Sequence, residues 1–154
     1  MIGKAMGSAV LALALAFGGA AQAAPRAPQD VVNAVYASPG AVIGPNVLRS
    51  TYAADLDAAL RILPPPADGQ SSFDYRYGST NAQVSGLQLL EEIDNDQAHV
   101  VAVFKRDGRP NSVNWTLCRA SGGDWRISDA WSNTGSETWD LRGMLSLNGS
   151  SVRC

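Results

Sequence analysis

Four segments between residues 84 and 132 read as strands, three of them with apolar side chains recurring at a period of two, and each joins the next through a stretch short enough only to reverse the chain. Residues 84–93 place Leu87, Leu89 and Ile93 on one face and close at Asp94-Asn95-Asp96. Residues 98–105 are apolar on both faces. Asp107-Gly108, two residue types that tolerate positive φ, then turn the chain into a third segment that alternates at Val113, Trp115 and Leu117. Ser121-Gly122-Gly123-Asp124 turns it again, into a segment with Trp125, Ile127, Asp129 and Trp131 on one face and Arg126, Ser128 and Ala130 on the other. Links of hairpin length cannot form the crossovers of a parallel sheet, so the pattern predicts a four-stranded antiparallel meander.

Two helical patterns precede the meander. Residues 24–29 hold two prolines and no period and read as a disordered lead. Asp30 then caps a short helix through Val31, Val32, Val35 and Tyr36, which Pro39-Gly40 stops. A longer helix over residues 48–63, with Pro45 near its first turn, carries Leu48, Tyr52, Leu56, Ala59, Leu60 and Leu63 on one face. Arg49, Asp55, Asp57 and Arg61 fall on its solvated side, and Pro64-Pro65-Pro66 ends it. Residues 67–83 are loop-rich around FDYRYG at 73–78, and after the sheet a helix from about Ser136 buries Leu141, Met144 and Leu145. The expected fold is α+β, with N-terminal helices packed on a curved four-stranded antiparallel meander and a short C-terminal helix.

The first 23 residues are laid out as a secretory signal: Lys4 supplies the positive charge, residues 6–17 an uncharged apolar run, and Ala21-Gln22-Ala23 the small residues before a cut at Ala24. The apolar run falls short of the roughly 20 residues that a spanning helix needs, so no stable membrane span is expected after cleavage. Export to the periplasm is the expected destination, with secretion as the alternative. Removing residues 1–23 from the 154 leaves one domain, residues 30–154, behind its lead, and takes the net charge from −2 to −3 as Lys4 departs. An acidic chain without a basic patch excludes a nucleic-acid partner. Cys118 and Cys154 are the only cysteines, and in an exported protein they read as a disulfide worth about 3–4 kcal/mol through loop closure, free or intermolecular thiols being the alternative. Two distant cysteines and a single histidine make no metal ligand set, and no cofactor is expected.

Five segments, YAADLDAAL at 52–60, FDYRYG at 73–78, VVAVFKRDG at 100–108, WRISDAW at 125–131 and WDLRGML at 139–145, together resemble the cystatin-like α+β cone of the nuclear transport factor 2-like superfamily. More narrowly the chain is similar to the exported bacterial family catalogued as domain of unknown function 3828. The resemblance implies a curved sheet wrapped around N-terminal helices. It implies no activity, because the superfamily carries isomerases, dehydratases, ligand binders and interaction modules on one scaffold.

The residues themselves offer few chemical candidates. His99 lies in a strand on the face of Lys105 and reads as a partly exposed sheet histidine; no nucleophile elbow or phosphate loop accompanies it. Asp129 draws more interest, since strict alternation puts a carboxylate beside Trp125, Ile127 and Trp131. Such a charge needs a partner, either Arg119 or backbone N–H groups, unless it is a pocket acid. Tyr75, Tyr77, Trp115, Trp131 and Trp139 either fill the core or line a ligand cavity in the mouth of the cone. The candidate ligand-binding set is therefore Tyr75, Tyr77, Trp115, Arg119, Asp129 and Trp131. Glu91, Glu92, Asp94 and Asp96 read as a solvated acidic turn.

Three functions fit this inventory. The expected one is an exported, non-catalytic binding or interaction module for a small ligand or an envelope protein, working as a monomer or homodimer. The alternatives are an inhibitor or immunity-type protein against an envelope toxin or hydrolase, presenting a loop from residues 64–83 or 132–138, and a small cone-fold enzyme using Asp129.

Overall fold

In a computed structural model, which describes residues 26–38, 50–64, 73–134 and 138–154, the chain runs α1 (Pro28–Ala37), α2 (Ala54–Ile62), β1 (Val84–Asp94), β2 (Gln97–Arg106), β3 (Arg109–Arg119), β4 (Trp125–Ser132), β5 (Trp139–Asp140) and α3 (Leu141–Met144). The signal segment, Leu48 and Ser136 lie outside the described residues. The strands form one antiparallel sheet in the order β1-β2-β3-β4-β5, so the expected meander is present and gains a two-residue fifth strand.

One face of this sheet is the core. Ala98, Val100, Ala102 and Phe104 of β2, Val113, Trp115 and Leu117 of β3, and Trp125, Ile127 and Ala130 of β4 are all buried. Val31, Val32 and Val35 of α1 and Leu56 and Leu60 of α2 pack on them in a single cluster. The i, i+4 spacing of Val31 and Val35, and of Leu56 and Leu60, brings each pair onto one helix face.

Several boundaries differ from expectation for identifiable reasons. Helix α1 begins at Pro28, a buried first-turn proline whose fixed φ suits that position; Asp30 lies inside the first turn rather than at the cap. Helix α2 begins at Ala54, later than its apolar spacing implies. Thr51 to Ala53 are drawn off as an extra strand-like segment: the Ile127 N–H donates to the Thr51 carbonyl and the Ala53 N–H to the Ile127 carbonyl, both at 2.8 Å. At the other end, α3 is a single turn from Leu141, capped by the Asp140 carboxylate accepting from the Gly143 N–H at 2.5 Å. Leu141 is buried and Met144 is exposed.

Strand β1 is the outermost strand and puts no residue in the buried core. Of Leu87, Leu89 and Ile93, expected on one apolar face, Leu87 and Ile93 are exposed and only Leu89 is partly buried. A bulge at Gly86, φ 67°, shifts its register on β2, and α1 meets it through the Gln29 N–H, which donates to the Glu91 carboxylate at 2.6 Å.

A second bulge has larger consequences. On β3, Leu117 pairs with Ile127 and the adjacent Thr116 pairs with Asp129, so Ser128 is an extra residue. Beyond it the alternation of β4 inverts: Ala130 pairs with buried Trp115 and turns inward, while Asp129 and Trp131 pair with Thr116 and Asn114 and leave the core face. Ser128 stays buried and its hydroxyl donates to the Thr116 carbonyl at 3.0 Å, supplying a donor where the ladder is interrupted.

Leu56→Ala or Leu60→Ala should therefore cost about 2–5 kcal/mol of folding free energy in urea denaturation, whereas Leu90→Ala on the exposed part of β1 should stay within about 0.5 kcal/mol of the parent.

Candidate functional site

Helix α2 lacks a side-chain N-cap, since its cap position is Ala53. The C-terminal tail supplies what is missing: the Ala54 N–H donates to the Arg153 carbonyl at 2.8 Å, and the Arg153 N–H donates to Asp55 Oδ1 at 3.2 Å. Asp55 Oδ2 accepts from Arg142 Nη1 at 2.7 Å, both side chains being buried. The same guanidinium donates to the carbonyls of Ser128, Leu147 and Ser150, and the Arg142 backbone N–H donates to Asp129 Oδ1. One arginine thus joins α2, the β4 bulge and the tail. Cys118 and Cys154, brought to disulfide distance with Cα atoms 6.0 Å apart, tie that tail to β3.

Between α2 and the tail lies an open groove of about 600 Å³. Ala58, Ala59 and Ile62 form its helix wall, Leu147, Ser150 and Ser151 its tail wall, and Asp55 and Arg153 lie where the walls meet. Small side chains at 58 and 59 leave room beside the helix, and Ile62 is 83% exposed. Asp55 has both oxygens engaged, whereas the exposed Arg153 side chain makes no hydrogen bond or ion pair among the described residues. The groove therefore offers apolar contact, hydroxyls and one accessible positive charge. A second, apolar cavity of about 250 Å³ lies between α2 and α3, lined by Leu60, Leu63, Phe73, Tyr75, Leu141, Met144 and Leu145.

The expected ligand-binding residues do not converge. Trp115 is fully buried, and its indole N–H donates to the Tyr36 hydroxyl at 3.3 Å. Tyr75 is buried against it, and its hydroxyl meets that of Tyr52 at 2.8 Å. Tyr77 packs between Tyr36 and Phe104. Trp115 and Tyr75 are core and Tyr77, partly buried, packs against it, so the FDYRYG segment that carries the two tyrosines is a plug. Between its tyrosines, Arg76 is held by Asp74 and donates to the Ser38 carbonyl at the end of α1 at 2.8 Å. Gly78, φ 62°, closes this turn against Trp139, whose indole nitrogen would lie 2.7 Å from any Cβ there.

Arg119 is remote from Asp129. It lies over the Trp125 ring at 4.5 Å and reaches Asp96 at 3.9 Å. Asp129 is instead held by two backbone donors on one oxygen, the N–H groups of Ala130 at 2.8 Å and Arg142 at 3.1 Å. Trp131 is half-buried on the same outer face. His99 is exposed on β2 opposite Glu92, without a hydrogen bond among the described residues.

Sequence reasoning missed Asp55, Arg142 and Arg153, having placed Asp55 on a solvated face. A signal was present: Arg142 interrupts an otherwise apolar turn, Leu141 to Leu145, where a long cation needs a partner.

The two carboxylates of this region are tuned in opposite directions. Burial acts to raise Asp55, but the Arg142 guanidinium and the Arg153 N–H outweigh it and hold the carboxyl below its ordinary value. Burial dominates at Asp129 and raises it, against the pull of the N–H groups of Arg142 and Ala130. Among the described residues no cluster of His, Cys, Asp and Glu could hold a metal ion, and no helix is long and apolar enough to cross a membrane. No family model, curated protein or solved structure matches the chain.

The opposed shifts separate in thermal melts against pH. The lowered Asp55 contributes stability that is present above its unfolded value of about 4 and lost as pH falls through the folded value. Arg142→Ala should cost about 3–5 kcal/mol at neutral pH, with the loss shrinking on acidification as the stranded Asp55 protonates. The raised Asp129 has the reverse sign: its charge is unfavourable above the folded value, and protonation relieves it. Because one oxygen takes both N–H groups, Asp129→Asn keeps both bonds and should leave neutral-pH stability unchanged or higher, whereas Asp129→Ala should lower it.

Proposed function

We propose that this chain is an exported binding module of the cell envelope, built on the cystatin-like α+β cone of the nuclear transport factor 2-like superfamily, and that it holds its partner in the groove between α2 and the C-terminal tail. The observation that carries the reading is the groove itself. Apolar Ala58, Ala59, Ile62 and Leu147 lie beside an accessible Arg153, on walls fixed from behind by the buried Asp55–Arg142 pair. Rigid walls reduce the ordering cost of association, and an apolar strip ending in a cation suits an extended partner segment with an aliphatic or aromatic side chain followed by a carboxylate. The 600 Å³ volume suits one or two such side chains.

A binding role also fits the rest of the molecule. Tyr75 and Trp115 are buried in the core and Trp131 lies on the other face of the sheet, His99 stands on an open strand, and Asp129 keeps its carboxylate engaged with backbone donors. A disulfide-tied tail suits an oxidising compartment outside the cytoplasm, and the layout of residues 1–23 provides the route there.

Two measurements test this. Mass spectrometry of the protein recovered from the exported fraction should give an N-terminus at Ala24, within a residue or two; an intact Met1 would overturn the compartment. A photo-crosslinking amino acid at Ala59 should capture a discrete partner in intact cells, and the same probe at His99 should not. Arg153→Glu should reduce capture at Ala59 by about tenfold or more, equivalent to about 1.4 kcal/mol. Equal capture at both positions, or indifference to Arg153→Glu, would remove the groove as the binding site.

A further inference from the structure

Strand β1 combines features that rarely coexist on the edge of a sheet. It is eleven residues long, and among the described residues no strand pairs with the edge it turns away from β2. It also carries three exposed large apolar side chains: Leu87 at 37%, Leu90 at 58% and Ile93 at 50%. Long, apolar, uncovered edges invite another strand, and natural proteins usually blunt them with charged side chains (lysine above all), a proline, a bulge or a very short edge. Here the stretch from Leu87 to Ile93 has neither Lys, Arg nor Pro; its charges are Glu92 and Glu91, the latter engaged by the Gln29 N–H, and the Gly86 bulge lies just before it.

We propose that the free edge of β1 pairs antiparallel with β1 of a second copy of this chain, joining two five-stranded sheets into one across a two-fold axis at Leu90. The register follows from the apolar residues. Placing Leu90 opposite its symmetry mate sets Leu87 opposite Ile93 on both sides of the axis, so each exposed apolar residue is paired with an apolar residue of the other copy. Leu90 lies on the outer face with Val101, to which it is paired on β2, and Ile93 on the inner face with Ala98.

Charge favours the same arrangement. The acidic residues Glu92, Asp94 and Asp96 gather at the far end of β1, and Lys105 lies on β2 beside its beginning, opposite Ser85; of the neighbouring charges, Arg106 is engaged by the Tyr77 and Gly78 carbonyls and Asp107 by the Gln83 N–H. An antiparallel two-fold pairing brings the acidic end of each copy to the basic end of the other. Asp94 falls opposite Gly86 of the second copy, two strand spacings or about 9.6 Å from the strand carrying Lys105, within reach of a long side chain. In this register Glu92 faces Gln88 and Glu91 faces Leu89, so no carboxylate is set directly opposite a carboxylate; the two Glu91 are diagonal neighbours, each engaged by the Gln29 N–H of its own chain.

A junction of two strands is smaller than a standard interface, so the dimer should be reversible and concentration-dependent. Light scattering and sedimentation of the processed chain should show the mass rising towards twice the monomer value as concentration increases. The rise should weaken in 1 M salt, where the Debye length falls to about 3 Å. Leu90→Lys sets two cations face to face on the axis and should abolish the rise, with the melting temperature of dilute protein unchanged as the check on folding. Lys105→Glu should weaken association about tenfold or more, while Ile62→Lys, a more exposed apolar position in the groove, should leave it intact. A monomeric mass up to about 1 mM chain, or a dimer that survives Leu90→Lys, overturns the proposal. Loss of the dimer with Ile62→Lys but not with Leu90→Lys would overturn it too, by placing the interface in the groove.

Discussion

The bond between Arg142 and Asp55 is the constraint around which one half of the molecule is arranged. Two buried charges are costly to take from water, and a pair in this position is maintained only if every remaining donor and acceptor is also met. Here no fully buried polar side-chain atom among the described residues lacks a partner: the two Nη groups of Arg142 reach the carbonyls of Ser128, Leu147 and Ser150 as well as Asp55, and Asp55 accepts from the Arg153 N–H on its second oxygen. Those carbonyls belong to a strand bulge and an irregular tail, the places where backbone groups lack ladder partners. The arginine therefore serves segments that could not satisfy themselves. In return, the tail caps α2 at Ala54 and forms one wall of the groove.

The Ser128 bulge makes that arrangement possible. Without it, strict alternation would send Asp129 into the apolar core with Ile127, and Arg142 would face neither the Asp129 carboxylate nor the Ser128 carbonyl. With it, Ala130 rather than a charged residue meets Trp115, and the carboxylate emerges where the first turn of α3 offers a backbone donor. The opposed tuning of Asp55 and Asp129 follows from the same geometry. A full guanidinium charge outweighs burial at the first, and two neutral N–H dipoles do not at the second.

How much of this was legible in the sequence depended on whether a residue obeyed a period. Val113, Trp115 and Leu117 alternate without interruption and are buried as expected, and the same regularity identified the antiparallel order of β1 to β4 and the α+β class. Asp129 and Trp131 were assigned to the wrong face because one inserted residue inverts everything after it, and a bulge leaves no mark in composition. Leu87 and Ile93 keep the alternation of a buried strand, yet burial also requires a covering layer, and β1 lies at the edge. Tyr52 fits a helical stripe but was claimed by Ile127 on β4, a contact between residues far apart in sequence that no local pattern contains. The groove was invisible for a related reason: its two walls, α2 and the tail, are separated by most of the domain. Only Cys154, paired with Cys118, hinted that the tail returns to the body.

The groove and the free strand sit at opposite ends of the sheet, since α2 and the tail attach through Arg142 and Ile127 to β4, while β1 is the far edge. If two chains join at β1, their grooves cannot obstruct each other; they are carried to the two ends of a ten-stranded sheet. With strands about 4.8 Å apart, the β4 strands that anchor the grooves are separated by about 35 Å, less whatever the twist of the sheet folds back. A rigid spacing of that size converts a modest affinity at each groove into a much higher one for a partner that presents two segments at the matching distance, and gives nothing to a partner that presents one. The reversible strand edge would then act as the control on binding, because it sets how often two grooves are available together. On this reading the exposed leucines of β1 belong to the binding function as fully as the groove does, although no ligand need touch them.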